Sequence, residues 1–145
     1  MKRSPDQVVW DFVQSWIRKA DEDYRVAGHV LERRAEDYFV SAFHSQQAAE
    51  KYLKAFLVWR QIPFPKTHVI GDLLKLVSAV DGELAKCLRP AGMLSPYGVE
   101  FRYPSQEVAS RKEARNALRM AEMVKTKIMK RMSDYMASGR PGNER

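Results

Sequence analysis

Residues 43–57 read FHSQQAAEKYLKAFL, and the fold turns on how this stretch is wound. At about 100° per residue, Ala48, Ala49, Tyr52, Phe56 and Trp59 form the centre of a broad apolar face. Away from it, His44, Gln47, Lys51 and Lys54 fall within about 80° of one another as a single polar stripe. Such a stripe reads as a solvated face or as part of a binding surface. Gln46 and Glu50 belong to neither set, because they project between Phe43, Leu53 and Leu57 of their own helix. A carboxylate placed there needs a partner, since an unpaired buried charge costs several kcal/mol or is neutralised. The candidates are an arginine of the Arg102-Tyr103-Pro104 turn and a basic residue of a neighbouring helix. The resulting contact would be either a register-fixing pair between helices or the wall of a polar pocket or dimer seam.

Working outward, Val9, Val13, Trp16, Ile17, Ala20, Tyr24, Ala27 and Leu31 keep helical spacing from a start near Pro5 and Asp6. Arg33, Arg34, Glu36 and Asp37 make a charged bend. The second helix then runs from Tyr38 to Arg60 and is expected to stop at the prolines of QIPFPKTH. Thr67 is the expected N-cap of a third helix, HVIGDLLKLVSAV, broken at Asp81-Gly82. A short fourth helix, ELAKCLRPAGML, is expected to be interrupted by Pro90, and SPYGVEFRYPSQ follows as an irregular stretch. The last helix carries Ala114, Ala117, Ala121, Val124, Ile128, Met132 and Tyr135 on one side. Five methionines on it, Met120, Met123, Met129, Met132 and Met136, suggest an adaptable packing surface, either core or dimer seam. The expectation is an all-α, up-and-down bundle of four to five helices. Residues 1–7 read as an N-terminal extension, 8–136 as the helical domain and 137–145 as a disordered tail.

The chain of 145 residues, 45% hydrophobic and 30% charged, is one domain's worth of ordinary globular sequence. No window approaches the ~18 uninterrupted apolar residues of a membrane span, and MKRSPDQVVWDF has no apolar run after its basic residues. A single cysteine, Cys87, offers no internal disulfide, and a cytoplasmic protein without membrane contact is the natural reading. The net charge of +7 is uneven: from Arg111 onward ten Lys/Arg face four Asp/Glu, leaving the first 110 residues nearly neutral. A basic last helix reads as a solvated face or as a docking surface for an acidic partner. No phosphate-binding glycine loop, paired nucleotidyltransferase aspartates or His/Cys metal spacing is present, so no metal site is expected. Asp21, Glu22 and Asp23 point in three directions on a helix and cannot converge on a metal. Asp23 is instead expected to pair with a lysine of the second helix.

Two places suit a phosphate. One is the start of the third helix, where Lys66, Thr67 and His68 would surround free backbone N–H groups. The other is the loop carrying Tyr97, Arg102 and Tyr103, where arginine could pair with phosphate and tyrosine could stack on a base. Arg102 could equally lock that loop to Glu50 or Asp23.

Taken together, W-x₉-A-x₂-D-Y-x-V-A from Trp10 to Ala27, then FHSQQAAEKYLKAFL, then P-K-T-H-x₃-D-L-L, then FRYP before a final helix resembles a HEPN domain. The name stands for higher eukaryotes and prokaryotes nucleotide-binding. The resemblance spans roughly residues 8 to 130 and implies a helical bundle, commonly a homodimer. It also implies a nucleotidyltransferase partner in a toxin–antitoxin-like module and a nucleotide ligand such as ATP, with no cofactor required. Some members are metal-independent ribonucleases that carry an arginine and a histidine separated by four to six residues. Here His29 follows Arg25 after three residues, His44 follows Arg34 after nine, His68 follows Arg60 after seven, and no histidine follows Arg102. The resemblance therefore implies a non-catalytic member with no catalytic residue, RNA being the less favoured ligand. A ribonuclease toxin and a helical adaptor without a nucleotide site are the alternatives. The residues expected to touch nucleotide are Lys51, Lys54, Lys66, Thr67, His68, Tyr97, Arg102 and Tyr103. Asp23, His44, Gln46, Gln47 and Glu50 form the expected polar network.

Overall fold

A Ser-x-x-Gln box starts the first helix, α1 (Pro5–Arg33): Gln7 N donates to Ser4 Oγ at 3.2 Å and Ser4 N donates to Gln7 Oε1 at 2.9 Å. Pro5 takes the first helical position, where a missing N–H costs nothing. The helix thus begins at Pro5, where the apolar spacing predicts its start. The same device, Ser110 with Glu113, opens the last helix, α5 (Arg111–Gly139), whose run passes the expected boundary at 136. This computed structural model describes residues 4–33, 36–98, 104–106 and 108–139.

Thirteen of the 22 residues of α2 (Tyr38–Trp59) are buried, which makes it the central helix rather than a surface one. Helix α1 packs along one side of it and α5 along another, α3 (Ile70–Ser78) and the 3₁₀ segment Arg89–Gly98 close a third, and α4 (Gly82–Leu88) packs outside them against α3, the 3₁₀ segment and α5. Ala20 and Ala27 on α1, Ala48, Ala49 and Ala55 on α2, and Ala114, Ala117 and Ala121 on α5 are fully buried. Small residues at these positions let the three long helices approach closely. Larger side chains, Tyr52, Leu53, Phe56, Leu57, Leu73, Leu94 and Ile128, fill the remaining interior. Every described element is helical, and the all-α bundle expected from the sequence is the observed fold.

Element ends differ from the sequence reading, each for a local reason. Helix α2 stops before its prolines: Gln61 adopts φ 58°, Gln61 N donates to Val58 O at 3.0 Å and Ile62 N to Leu57 O at 2.8 Å. This is a Schellman-type close built on a non-glycine residue. Helix α3 begins three residues after Thr67, with Val69 as its N-cap. Thr67 instead accepts from Val69 N at 3.1 Å and donates to Asp72 at 3.1 Å, a turn that precedes the helix. The first amide of α3, Ile70 N, is taken by Ser95 Oγ at 2.9 Å. Helix α4, by contrast, ends at Leu88 with Arg89 as its C-cap, so the α-helix is interrupted at Pro90 as expected, and the chain goes on as a 3₁₀ segment. Near the start of that segment the absent N–H of Pro90 leaves no bond unmade, and the segment continues to Gly98. A second short 3₁₀ turn, Pro104–Gln106, lies in the stretch expected to be irregular.

Candidate functional site on the central helix

Helix α2 is buried on nearly every side, so its polar residues meet protein rather than water. Asp23 of α1 faces the stripe: His44 Nδ1 lies 2.9 Å from its Oδ1, and Lys51 Nζ donates to its Oδ2. The lysine that pairs with Asp23 is therefore Lys51. Burial pushes the Asp23 carboxyl up, and the hydrogen bonds from His44 and Lys51, with their charge, overcome it and hold the group below the ordinary carboxylate range.

A second cluster forms around Glu50, whose side chain is 4% exposed. Lys54 Nζ, on the next turn, lies 2.9 Å from Glu50 Oε2, and His68 Nδ1 lies 3.0 Å from Oε1. Gln46 Nε2 donates to Glu50 Oε1 at 3.1 Å and to the His68 carbonyl at 3.0 Å, while Gln47 Nε2 donates to Gln46 Oε1 at 2.7 Å. Arg102 lies outside the described residues, and no neighbouring helix supplies the described partners of Glu50. They come from its own helix and from the segment before α3. The helical wheel puts Lys54 on an outward stripe, but it is buried, with its ammonium 5.6 Å from the Trp16 ring centroid and 5.7 Å from that of Phe64. The two rings stand edge to face, with centroids 6.2 Å apart. Removing one member of such a buried pair would strand the other at a cost of about 3–5 kcal/mol.

The two clusters account for all five residues of the expected polar network. Of the residues expected to hold nucleotide, Lys51 and Lys54 are the cations of those clusters. Lys66 is exposed, Thr67 makes the turn already described, and His68 is 45% exposed along its side chain while leaning on Glu50. Tyr97 packs edge to face on Phe39 with centroids 5.9 Å apart. Arg102 and Tyr103 lie outside the described residues. The backbone at the start of α3 is flanked by Asp72, which disfavours an anion there.

Several functional-looking contacts escape a reading of the sequence. Tyr52 donates its hydroxyl to Asp21 Oδ1, and burial first, then that bond, push its phenol far above the ordinary value. Lys125 of α5 reaches the same Asp21 oxygen at 3.3 Å and lies 4.9 Å from the Tyr24 ring centroid. Asp21 thereby ties α1, α2 and α5 together. Chemically, the site holds two histidines whose Nδ1 atoms each rest on a carboxylate, an arrangement that fixes the ring and leaves Nε2 as the second functional nitrogen. Among the described residues, no group of His, Cys, Asp and Glu could hold a metal ion. No described helix is long and apolar enough to cross a membrane.

A helical bundle packed round a largely buried central helix, whose Glu50, Lys51 and Lys54 charges are paired within the protein, defines a class of small all-α domain. The chain belongs to the HEPN domain family, whose model matches residues 13–132. Among solved structures it is similar to the protein TT1696 from Thermus thermophilus, at 26% identity and a TM-score of 0.66, over 81% of this chain and 96% of that one. It also shares its fold with ST0689, an archaeal HEPN homologue, at 22% identity and a TM-score of 0.62, over 90% of this chain and 98% of that one. No curated protein sequence matches the chain.

Proposed function

We propose that this HEPN protein is non-catalytic and acts by association. In this reading it is a homodimer that binds a nucleotide, works with a minimal nucleotidyltransferase in a toxin–antitoxin-like module, or does both. The observation that supports the reading is the internal use of the charges on α2: Asp23 holds Lys51 and Glu50 holds Lys54. Neither ammonium is left for a substrate phosphate. Metal-independent cleavage of RNA needs a cation at the phosphate beside an acid–base group, and no histidine follows an arginine at the spacing such members use. Charge available for recognition by a protein partner stands on α5, where Arg115, Arg119, Lys127 and Lys130 are exposed. An acidic partner surface would meet them, and the complex would weaken with salt. Val8 and Phe12, exposed one turn apart on α1, support a self-association surface.

His68 favours the ribonuclease reading as the second one, because its ring is backed by buried Glu50 and open to solvent on its other side. The test is calorimetric titration with ATP together with an RNA-cleavage assay on the same preparation. Saturable ATP binding without cleavage is the expected result, weakened by Arg102→Ala if that arginine holds the phosphates. RNA cleavage that His68→Ala abolishes would overturn the non-catalytic reading. No heat with ATP would leave the nucleotidyltransferase association to carry it, read by co-purification of the co-expressed pair.

A further inference from the structure

An open groove of about 440 Å³ runs between α3 and α4, with Lys75, Lys86 and Arg89 on its walls. All three are exposed, and none has an ion-pair partner among the described residues. The carboxylates on the same two elements are committed elsewhere. Asp72 accepts from Thr67, Asp81 accepts from Leu84 N and Arg131, and Glu83 lies 3.7 Å from Arg131. Three like charges round one concavity repel one another and raise its potential, a cost that a bound anion removes.

Leu74 and Ala85 are its buried lining residues, and a Cβ added at Gly71, Gly82 or Gly92 would meet nothing within 4 Å, so the space over these three glycines is open to a ligand. Ser78 Oγ donates to Lys75 O at 2.7 Å and covers a helix-end carbonyl that would otherwise repel an anion. Among the described residues no aromatic side chain lines the groove to stack on a base, and its three cations are what it offers an anion.

We propose that the α3–α4 groove is an anion site for an oligophosphate chain, recognised through its phosphates by Lys75, Lys86 and Arg89. The inference goes beyond the proposed function, since it requires neither a nucleobase nor a partner protein. The probe is inorganic triphosphate, titrated calorimetrically at low salt, with adenosine as the uncharged comparison. One saturable site for triphosphate and none for adenosine is expected. Arg89→Ala removes one charge-assisted contact and raises Kd about tenfold or more. Gly92→Leu fills the groove while keeping every charge; it abolishes binding and leaves the circular dichroism spectrum and Tm as in the wild type. Lys19→Ala, an exposed cation on α1, leaves binding unchanged. Absence of triphosphate binding overturns the proposal. So does binding that survives both Arg89→Ala and Gly92→Leu, or that falls as much with Lys19→Ala, because the attraction would then be diffuse. ATP binding that persists where triphosphate fails ends this proposal and leaves the nucleotide reading standing.

Discussion

Gln46 is the most constrained polar residue of the site, fully buried and bonded through its amide to Glu50, Gln47 and the His68 carbonyl. The main chain at Gly98 lies directly against that amide. A Cβ there would stand 2.3 Å from Gln46 Cδ and 2.5 Å from both Nε2 and Oε1. Glycine is needed at 98 for this approach, not for an unusual φ. Gly98→Ala must therefore displace the amide and break its bonds, and we expect it to lower stability by about 1–3 kcal/mol. The cause can be isolated in a double-mutant cycle read by urea denaturation. In a Gln46→Ala background the same Gly98→Ala change should be close to neutral, because the obstructing amide is gone. Equal losses in both backgrounds would place the strain elsewhere and refute the pairing.

Between elements, two carboxylates act as ties. Asp23 joins α1 to α2. Asp81 caps α4 through Leu84 N at 3.0 Å and reaches Arg131 of α5 at 2.8 Å. Burial raises both carboxyls, but their hydrogen bonds and cationic neighbours prevail, so each sits below the ordinary value of 3.8. A carboxyl depressed in the folded state adds stability that is whole above its unfolded value and is lost as pH falls through the folded one. Thermal melts should therefore hold near neutral pH and decline below about pH 4. Asp23→Asn and Asp81→Asn should each lower Tm at neutral pH and flatten that acid limb. Acid limbs parallel to the wild type in both variants would show that other groups set it. The contrast between ties and helices also explains what can be read from sequence. Helices α1, α2 and α5 are legible because their apolar residues recur over many turns, and even Asp23 can be assigned a lysine partner on α2. The start of α3 is not legible, since Ile70 N is capped by Ser95, 25 residues onward, and no local signal announces it. Lys54 looks outward on a helical wheel because Trp16 and Phe64, which cover it, come from other segments. The capping boxes at Ser4-Pro5-Asp6-Gln7 and Ser110-Arg111-Lys112-Glu113 are present in the sequence as local signals, and they place two helix starts to the residue.

For the molecule as a whole, internal pairing of acids leaves an excess of cations on the outside. Asp21, Asp23, Glu50 and Asp81 are all held in described pairs, while the net charge stays at +7. On α5, Arg115 and Arg119 are exposed one turn apart, and Lys127 and Lys130 three residues apart. Like charges at these spacings each destabilise a helix by about 0.2–0.5 kcal/mol. Added salt shortens the screening length to about 10 Å at 0.1 M, which relieves repulsion between exposed groups and barely reaches the buried pairs at Glu50 and Asp23. Stability should accordingly rise with salt. Tm is expected to increase by about 2–4 °C between low and physiological sodium chloride, corresponding to roughly 1 kcal/mol at this size. Neutralising part of the excess with Arg115→Gln and Arg119→Gln together should raise Tm at low salt and shrink the salt increment. A Tm that falls with salt would mean that the more exposed attractive pairs, Lys125 with Asp21 and Arg131 with Glu83, outweigh the repulsion along α5. The double substitution would then leave the salt response unchanged.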